Sequence, residues 1–200
     1  MPFYNTPMTK LEAVNICLSS MGEPTVNSLD SAAIDAQMAS DIVDETARSV
    51  QAIGWHWNRE KHTIEPDGNG YLTLPANTLR VDTAGSYVTT DVIQRGTRLY
   101  NRGDDTYIFS TPLELDMYVA LPFEDMPFAA KQFVSIRSAR LLQQRVLGSD
   151  TLYKFDSADE NRAWTGLCQE EAEVSDANML YDNWSTSSIM NRSSFSRGAY

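Results

Sequence analysis

Apolar positions recur along this chain in two different rhythms. Leu11, Val14, Leu18 and Met21 step by three and four, the spacing that places them on one face of a helix. Thr9-Lys10-Leu11-Glu12 reads as a capping box ahead of that stripe, the Thr hydroxyl taking a backbone N–H while the Glu reaches back. Gly22 suits the left-handed position after the last turn, and Pro24 cannot continue the helix. A link over residues 26–30 follows, with Asp30 or Ser31 placed to cap a second helix. Ile34, Met38, Ile42, Val43, Ala47, Val50 and Ile53 form its stripe through to Gly54, with Asp35, Asp41, Asp44, Glu45 and Arg48 on the other faces. The pattern predicts an amphipathic helix of about six turns.

Beyond Trp57 the period shortens. Short runs rich in Tyr, Val, Ile and Thr are broken by Gly, Asn, Asp and Pro, the grammar of a pleated surface. Pro66-Asp67-Gly68-Asn69-Gly70 reads as a hairpin-type connection and Arg102-Gly103-Asp104-Asp105 as a second turn. Residues 60–121 are expected to form about six or seven short strands. Helical spacing returns with Pro127 at a first turn, then Phe128, Phe133, Ile136, Ala139, Leu142, Val146 and Leu147, stopping near Gly148. Lys131, Arg137, Arg140 and Arg145 make this helix basic. Ser157-Ala158-Asp159-Glu160 reads as a capping box opening a fourth helix that carries Ala163, Trp164, Leu167, Cys168 and Ala172. Its exposed face is expected to be acidic, through Glu160, Glu170, Glu171, Glu173 and Asp176.

These elements predict an α+β fold. The helices of residues 1–58 and 124–182 are expected to pack as a four-helix bundle, with the strands of 59–123 as an all-β insert in the middle of the chain. The basic third helix and acidic fourth would be neighbours. From Asn183 the chain is Ser-rich and aperiodic. Residues 183–200 are either a disordered tail or an arm that orders on a partner, with Trp184, Ile189, Met190, Phe195 and Tyr200 as its apolar anchors.

Composition narrows the chemistry. A hydrophobic content of 42% supports a buried core, and the formal net charge is −11. Tight grip on a phosphate backbone needs the opposite sign. Cys17 and Cys168 are expected to be buried, reduced thiols on helix faces, and His56 and His62 stand in no zinc spacing. The sequence carries no P-loop, no G-x-G-x-x-G and no G-x-S-x-G, and no cofactor is expected. No secretory leader and no run of about 20 apolar residues is evident, which predicts a chain made and folded in a cytoplasm without a membrane span. Glu124-Asp125, Asp104-Asp105 and the Asp41, Asp44, Glu45 group are the candidate acid/base pairs. Glycoside hydrolysis needs two carboxyls about 5–9 Å apart across a cleft, whereas turns, caps and solvated faces account for these residues more simply. Trp55 and Trp57 are expected to plug the joint between helices and strands.

Two patches carry a family likeness. One is Ala13-Val14-Asn15, Ser20-Met21-Gly22-Glu23-Pro24, Val26 and Leu29, with the long helix running to Gly54-Trp55 and Asn58. The other is Glu124-Asp125-Met126-Pro127, Arg137, Ala139-Arg140, Gln144-Arg145 and Gly148, with Asn178-Met179-Leu180 beyond. Over most of residues 10–182 the chain resembles the tail tubular protein A family, the adaptor or gatekeeper proteins of short-tailed double-stranded DNA phages. The resemblance implies a structural virion protein of the tail, made in the host cytoplasm and not an enzyme. It implies a ring of twelve copies under the portal protein, with the helices toward the portal and the C-terminal segment embracing it. The β part would face the nozzle, tail tubular protein B, and help seat the tail fibre, while double-stranded DNA passes down the central channel. The alternative is a tail-associated hydrolase that degrades polysaccharide.

Overall fold

Thr9 caps α1 (Lys10–Met21) as its sequence dictates: Thr9 Oγ1 accepts from the Glu12 N–H at 3.2 Å, and the Thr9 N–H donates to Glu12 Oε2 at 2.8 Å. At the other end Gly22 is left-handed, with φ of 81°. The Gly22 and Glu23 N–H groups close on the Ser19 and Leu18 carbonyls at 3.1 and 3.0 Å, the Schellman arrangement. The computed structural model describes residues 8–30, 33–85, 90–146 and 150–174, with side chains of the last stretch from residue 157.

The second helix, α2 (Ile34–Gln51), departs from its reading at both ends. Its N-cap is Ala33, which offers no side-chain cap; the Asp30 N–H instead donates to Ser28 Oγ in a local turn, and Ser31 lies outside the described residues. The helix stops at Gln51, three residues before Gly54. Its buried face is Ala36, Ala39, Ile42, Val43, Thr46, Ala47, Val50 and Gln51. Ile34 and Ile53, read as part of the stripe, are 74% and 51% exposed. Ile34 is the first residue of the helix and Ile53 lies beyond its last, so the stripe is buried only between them, at Ile42, Val43, Ala47 and Val50.

Among the described residues five strands follow, against the six or seven expected: β1 (Arg59–Ile64), β2 (Thr78–Thr83), β3 (Val92–Arg95), β4 (Arg98–Asn101) and β5 (Leu113–Val119). Residues 71–73 and 106–108 contribute only isolated bridges. One antiparallel sheet has the order β1-β5-β2 and β3-β4 is a separate hairpin. The turn at Asp67 forms, with the Gly70 N–H on the Asp67 carbonyl at 2.8 Å, but it joins no paired strands. β5, drawn from far along the chain, sits between β1 and β2. The turn at residues 102–105 does reverse the chain, closed by Asn101 and Thr106 through their backbones. Leu113, Leu115 and Met117 of β5 point into a strand-side core with Leu72, Leu74 and Leu99.

Helix α3 (Phe128–Val146) packs against α1, α2 and α4 (Asp150–Val174). Gly148, the expected stop, lies outside the described residues. Because α4 begins at Asp150, Ser157-Ala158-Asp159-Glu160 is helix interior and not a cap. Glu160 is buried, not on an exposed acidic face, because it receives Arg137 at 2.8 Å and Arg140 across the α3–α4 contact. The expected pairing of basic and acidic helices therefore occurs through the residue read as solvated. Helices and antiparallel strands together make the chain α+β.

The joint between helices and strands is polar as well as aromatic. Gln51 is 1% exposed. Its amide donates to the Leu121 carbonyl at 3.1 Å and accepts from the Leu121 N–H at 2.7 Å. Fully buried Asn58 donates to the carbonyls of Gln51 and Val119 at 3.0 and 3.1 Å and accepts from the Trp55 N–H at 2.9 Å. Trp55 stacks on Trp57 with ring centroids 6.5 Å apart and meets Trp164 edge-on at 5.5 Å. Both belong to the helical core, Trp55 buried in it and Trp57 packed against its edge.

Candidate assembly surfaces

The sequence-predicted anchors Trp184, Ile189, Met190, Phe195 and Tyr200 all lie outside the described residues, as does Asp176. The candidate carboxylates are within them, and each group has local work. Asp44 pairs with Lys10 at 2.8 Å and Glu45 with Arg145 at 3.2 Å, tying α2 to α1 and α3. Asp104 accepts from Asn101 Nδ2 at 2.8 Å and Asp105 accepts from the Tyr100 hydroxyl, so both fasten the turn they sit in. That contact holds the Tyr100 hydroxyl above its ordinary pKa, because the proton is shared with a carboxylate. Glu124 Oε1 accepts from the Lys10 N–H at 3.3 Å, near the start of α1. Among the described residues no group of three or more His, Cys, Asp or Glu could hold a metal ion.

Burial separates the two cysteines. Cys17 is fully buried, which pushes its thiol up to about 12, whereas Cys168 is exposed, against expectation. The α4 surface turns Cys168 outward because Leu167 takes the inward position beside it.

The basic helix is spent inside the chain. Lys131 is buried and donates to the Glu124 carbonyl at 2.6 Å. Arg137 and Arg140 converge on Glu160 and Arg145 on Glu45. Each of these four cations has a partner within the chain. Among the described residues the cations without a carboxylate partner lie mainly among the strands. Arg95 and Arg98 stand opposite each other at the end of the β3-β4 hairpin, where Gly96 takes a φ of 64°. The Arg95 guanidinium lies 3.6 Å over the Tyr100 ring, and that of Arg98 lies 4.5 Å over Tyr71. Sequence reading missed this hairpin; Arg95-Gly96-Thr97-Arg98, a two-residue turn containing Gly, was the available signal.

A second surface is concave. α1, α3 and α4 bound a groove of about 440 Å³ whose floor includes Ile16, Ala129, Ile136, Ala139 and Ala163. Its polar lining includes Gln132, Arg140, Gln143, Asp159 and Arg162. The geometry is that of packing surfaces, and comparison with known proteins points the same way. A family model described as tail tubular protein matches residues 11–177. The chain belongs to the tail tubular protein family. Tail tubular protein A of Klebsiella phage KP34 is similar at 27% identity over 146 residues, covering 73% of this chain and 77% of that protein.

Membership of the tail tubular protein family makes the chain a structural component of a phage tail, working among other tail assembly partners. Among the described residues no helix is long and apolar enough to cross a membrane. The surfaces to examine are therefore those that meet other proteins.

Proposed function

We propose that the chain is the tail adaptor: a ring, of twelve copies, that joins the portal to the nozzle, conducts the genome during ejection and gives the fibre a seat. The observation that carries this reading is the family match across residues 11–177. In it the helices of 1–58 and 124–182 act as one discontinuous bundle facing the portal, and 59–123 act as a β insert facing the nozzle. Residues 183–200 serve as the arm that grips the portal. A net charge of −11 suits a channel wall that repels DNA and does not retain it. Polysaccharide hydrolysis gains no support, since at least one member of each candidate carboxylate group, namely Asp44 and Glu45, Asp104 and Asp105, and Glu124, is engaged in a turn, helix-end or inter-helix contact.

Electron microscopy of the purified full chain, alone and mixed with purified portal, tests the reading. Rings, free or seated on the portal, are expected. A chain that stays monomeric and ignores portal rings would overturn it.

A further inference from the structure

We infer that the outer face of the β3-β4 hairpin is one half of the contact between neighbouring copies, and that the exposed acidic stripe on the N-terminal half of α2 is the other half. The inference rests on the ring reading and assigns it a surface.

The hairpin carries the argument. Arg95 and Arg98 are direct cross-strand partners, so their side chains rise from the same face. Like charges in that position repel. Neither has a carboxylate partner among the described residues; each is instead laid on a tyrosine ring, Arg95 over Tyr100 and Arg98 over Tyr71. Arg95 also reaches the Tyr107 hydroxyl, at 3.4 Å. A guanidinium stacked on an aromatic face keeps its in-plane N–H fork available and is already ordered. Ile93, 36% exposed, rises on the same face and adds an apolar element. Arginine and tyrosine around a small apolar centre is the composition that concentrates binding energy in interfaces. The surface fits an acidic, partly apolar protein surface.

The same chain exposes such a surface. Ile34, Asp35, Met38 and Asp41 stand on successive turns of α2, all exposed. Asp35 and Asp41 have no ion pair or hydrogen bond among the described residues. Basic-apolar and acidic-apolar patches of complementary charge on different parts of one chain make a head-to-tail contact, and only such a contact closes into a ring. Two arginines within a chain of net charge −11 are a poor DNA grip, so the occupant is a second copy.

Charge reversal on each side tests this. R95E/R98E and D35K/D41K each place like charges across the contact; the two changes combined in one chain restore opposite charges at every contact of a ring. Assembly of the full chain is measured by mass photometry and electron microscopy, alone and on purified portal. Circular dichroism confirms folding, and R95Q/R98Q serves if the glutamates unfold the hairpin. Each single-side reversal is expected to lower the assembled fraction about tenfold or more, the combination to recover most of it, and wild-type assembly to weaken with salt. Reversed variants that form rings as well as wild type overturn this inference and leave the adaptor reading standing. A wild-type chain that forms no ring in either setting overturns both.

Discussion

Replacing Gln51 with leucine removes the one side chain that satisfies Leu121 in both directions. The Leu121 N–H and carbonyl now reach Gln51 at 2.7 and 3.1 Å, at a residue 1% exposed. Leucine is close in volume, so no large cavity opens, and the change isolates the polar contact. Each buried group left without a partner costs about 1–3 kcal/mol. Leu121 is half-buried, which lets water recover part of the loss, so about 2–4 kcal/mol in total is expected for the pair. In a chain of this size that is a fall in Tm of about 5–15 °C. Urea unfolding followed by circular dichroism and by tryptophan fluorescence measures it. Trp55 and Trp164 report on the helical core next to the joint. A loss below about 0.5 kcal/mol would show that the amide contacts are replaceable by solvent and that the joint is held by its apolar residues alone.

Gly54 has a φ of 91°, and a Cβ there would stand 2.7 Å from the Tyr118 ring and 2.8 Å from Arg80; Gly54→Ala is expected to lower stability by about 2–3 kcal/mol in thermal unfolding. In native protein at pH 8 a thiol reagent should modify Cys168 alone, with Cys17 reacting only after denaturation, as counted by mass spectrometry. Arg59 donates to Asp116 at 2.8 Å and holds its carboxyl below the usual value of 3.8. The stability this pair adds is complete above that usual value and fades as pH falls through the lowered one. Asp116→Asn should therefore destabilise at pH 7 and flatten the acid limb of the Tm–pH curve. Deleting residues 183–200 should leave the Tm unchanged and weaken co-sedimentation with portal; unchanged portal binding would refute the arm.

What could be read from the sequence was what neighbouring residues decide between themselves. Thr9 with Glu12, and Gly22 before Pro24, act within a few residues, and both ends of α1 are as their residues dictate. Ser157 and Glu160 have the same spacing as Thr9 and Glu12, yet lie inside α4, because Glu160 answers to Arg137 and Arg140 on another helix. The turn at Asp67 is correct and the hairpin it suggested is not, because β5 lies far along the chain and takes the place between β1 and β2. Gln51 and Asn58 read as ordinary polar positions; only their partners near residues 119–121 show them as the centre of the joint. The sequence shows that α3 is basic but not that Arg137, Arg140 and Arg145 pair with Glu160 and Glu45 inside the chain, while among the described residues Arg95 and Arg98 of the hairpin have no carboxylate partner.

The same joint bears on how chains of this kind can diverge. The backbone passes from α2 to β1 through Asn58 and from β5 toward α3 through Leu121, and two side-chain amides hold those points together: that of Gln51 bonds Leu121 in both directions, and that of Asn58 bonds the Gln51 and Val119 carbonyls. A change in the loops between them that keeps Leu121 against Gln51 and Val119 against Asn58 is expected to leave the end of α2 in place. The joint thus works as a socket.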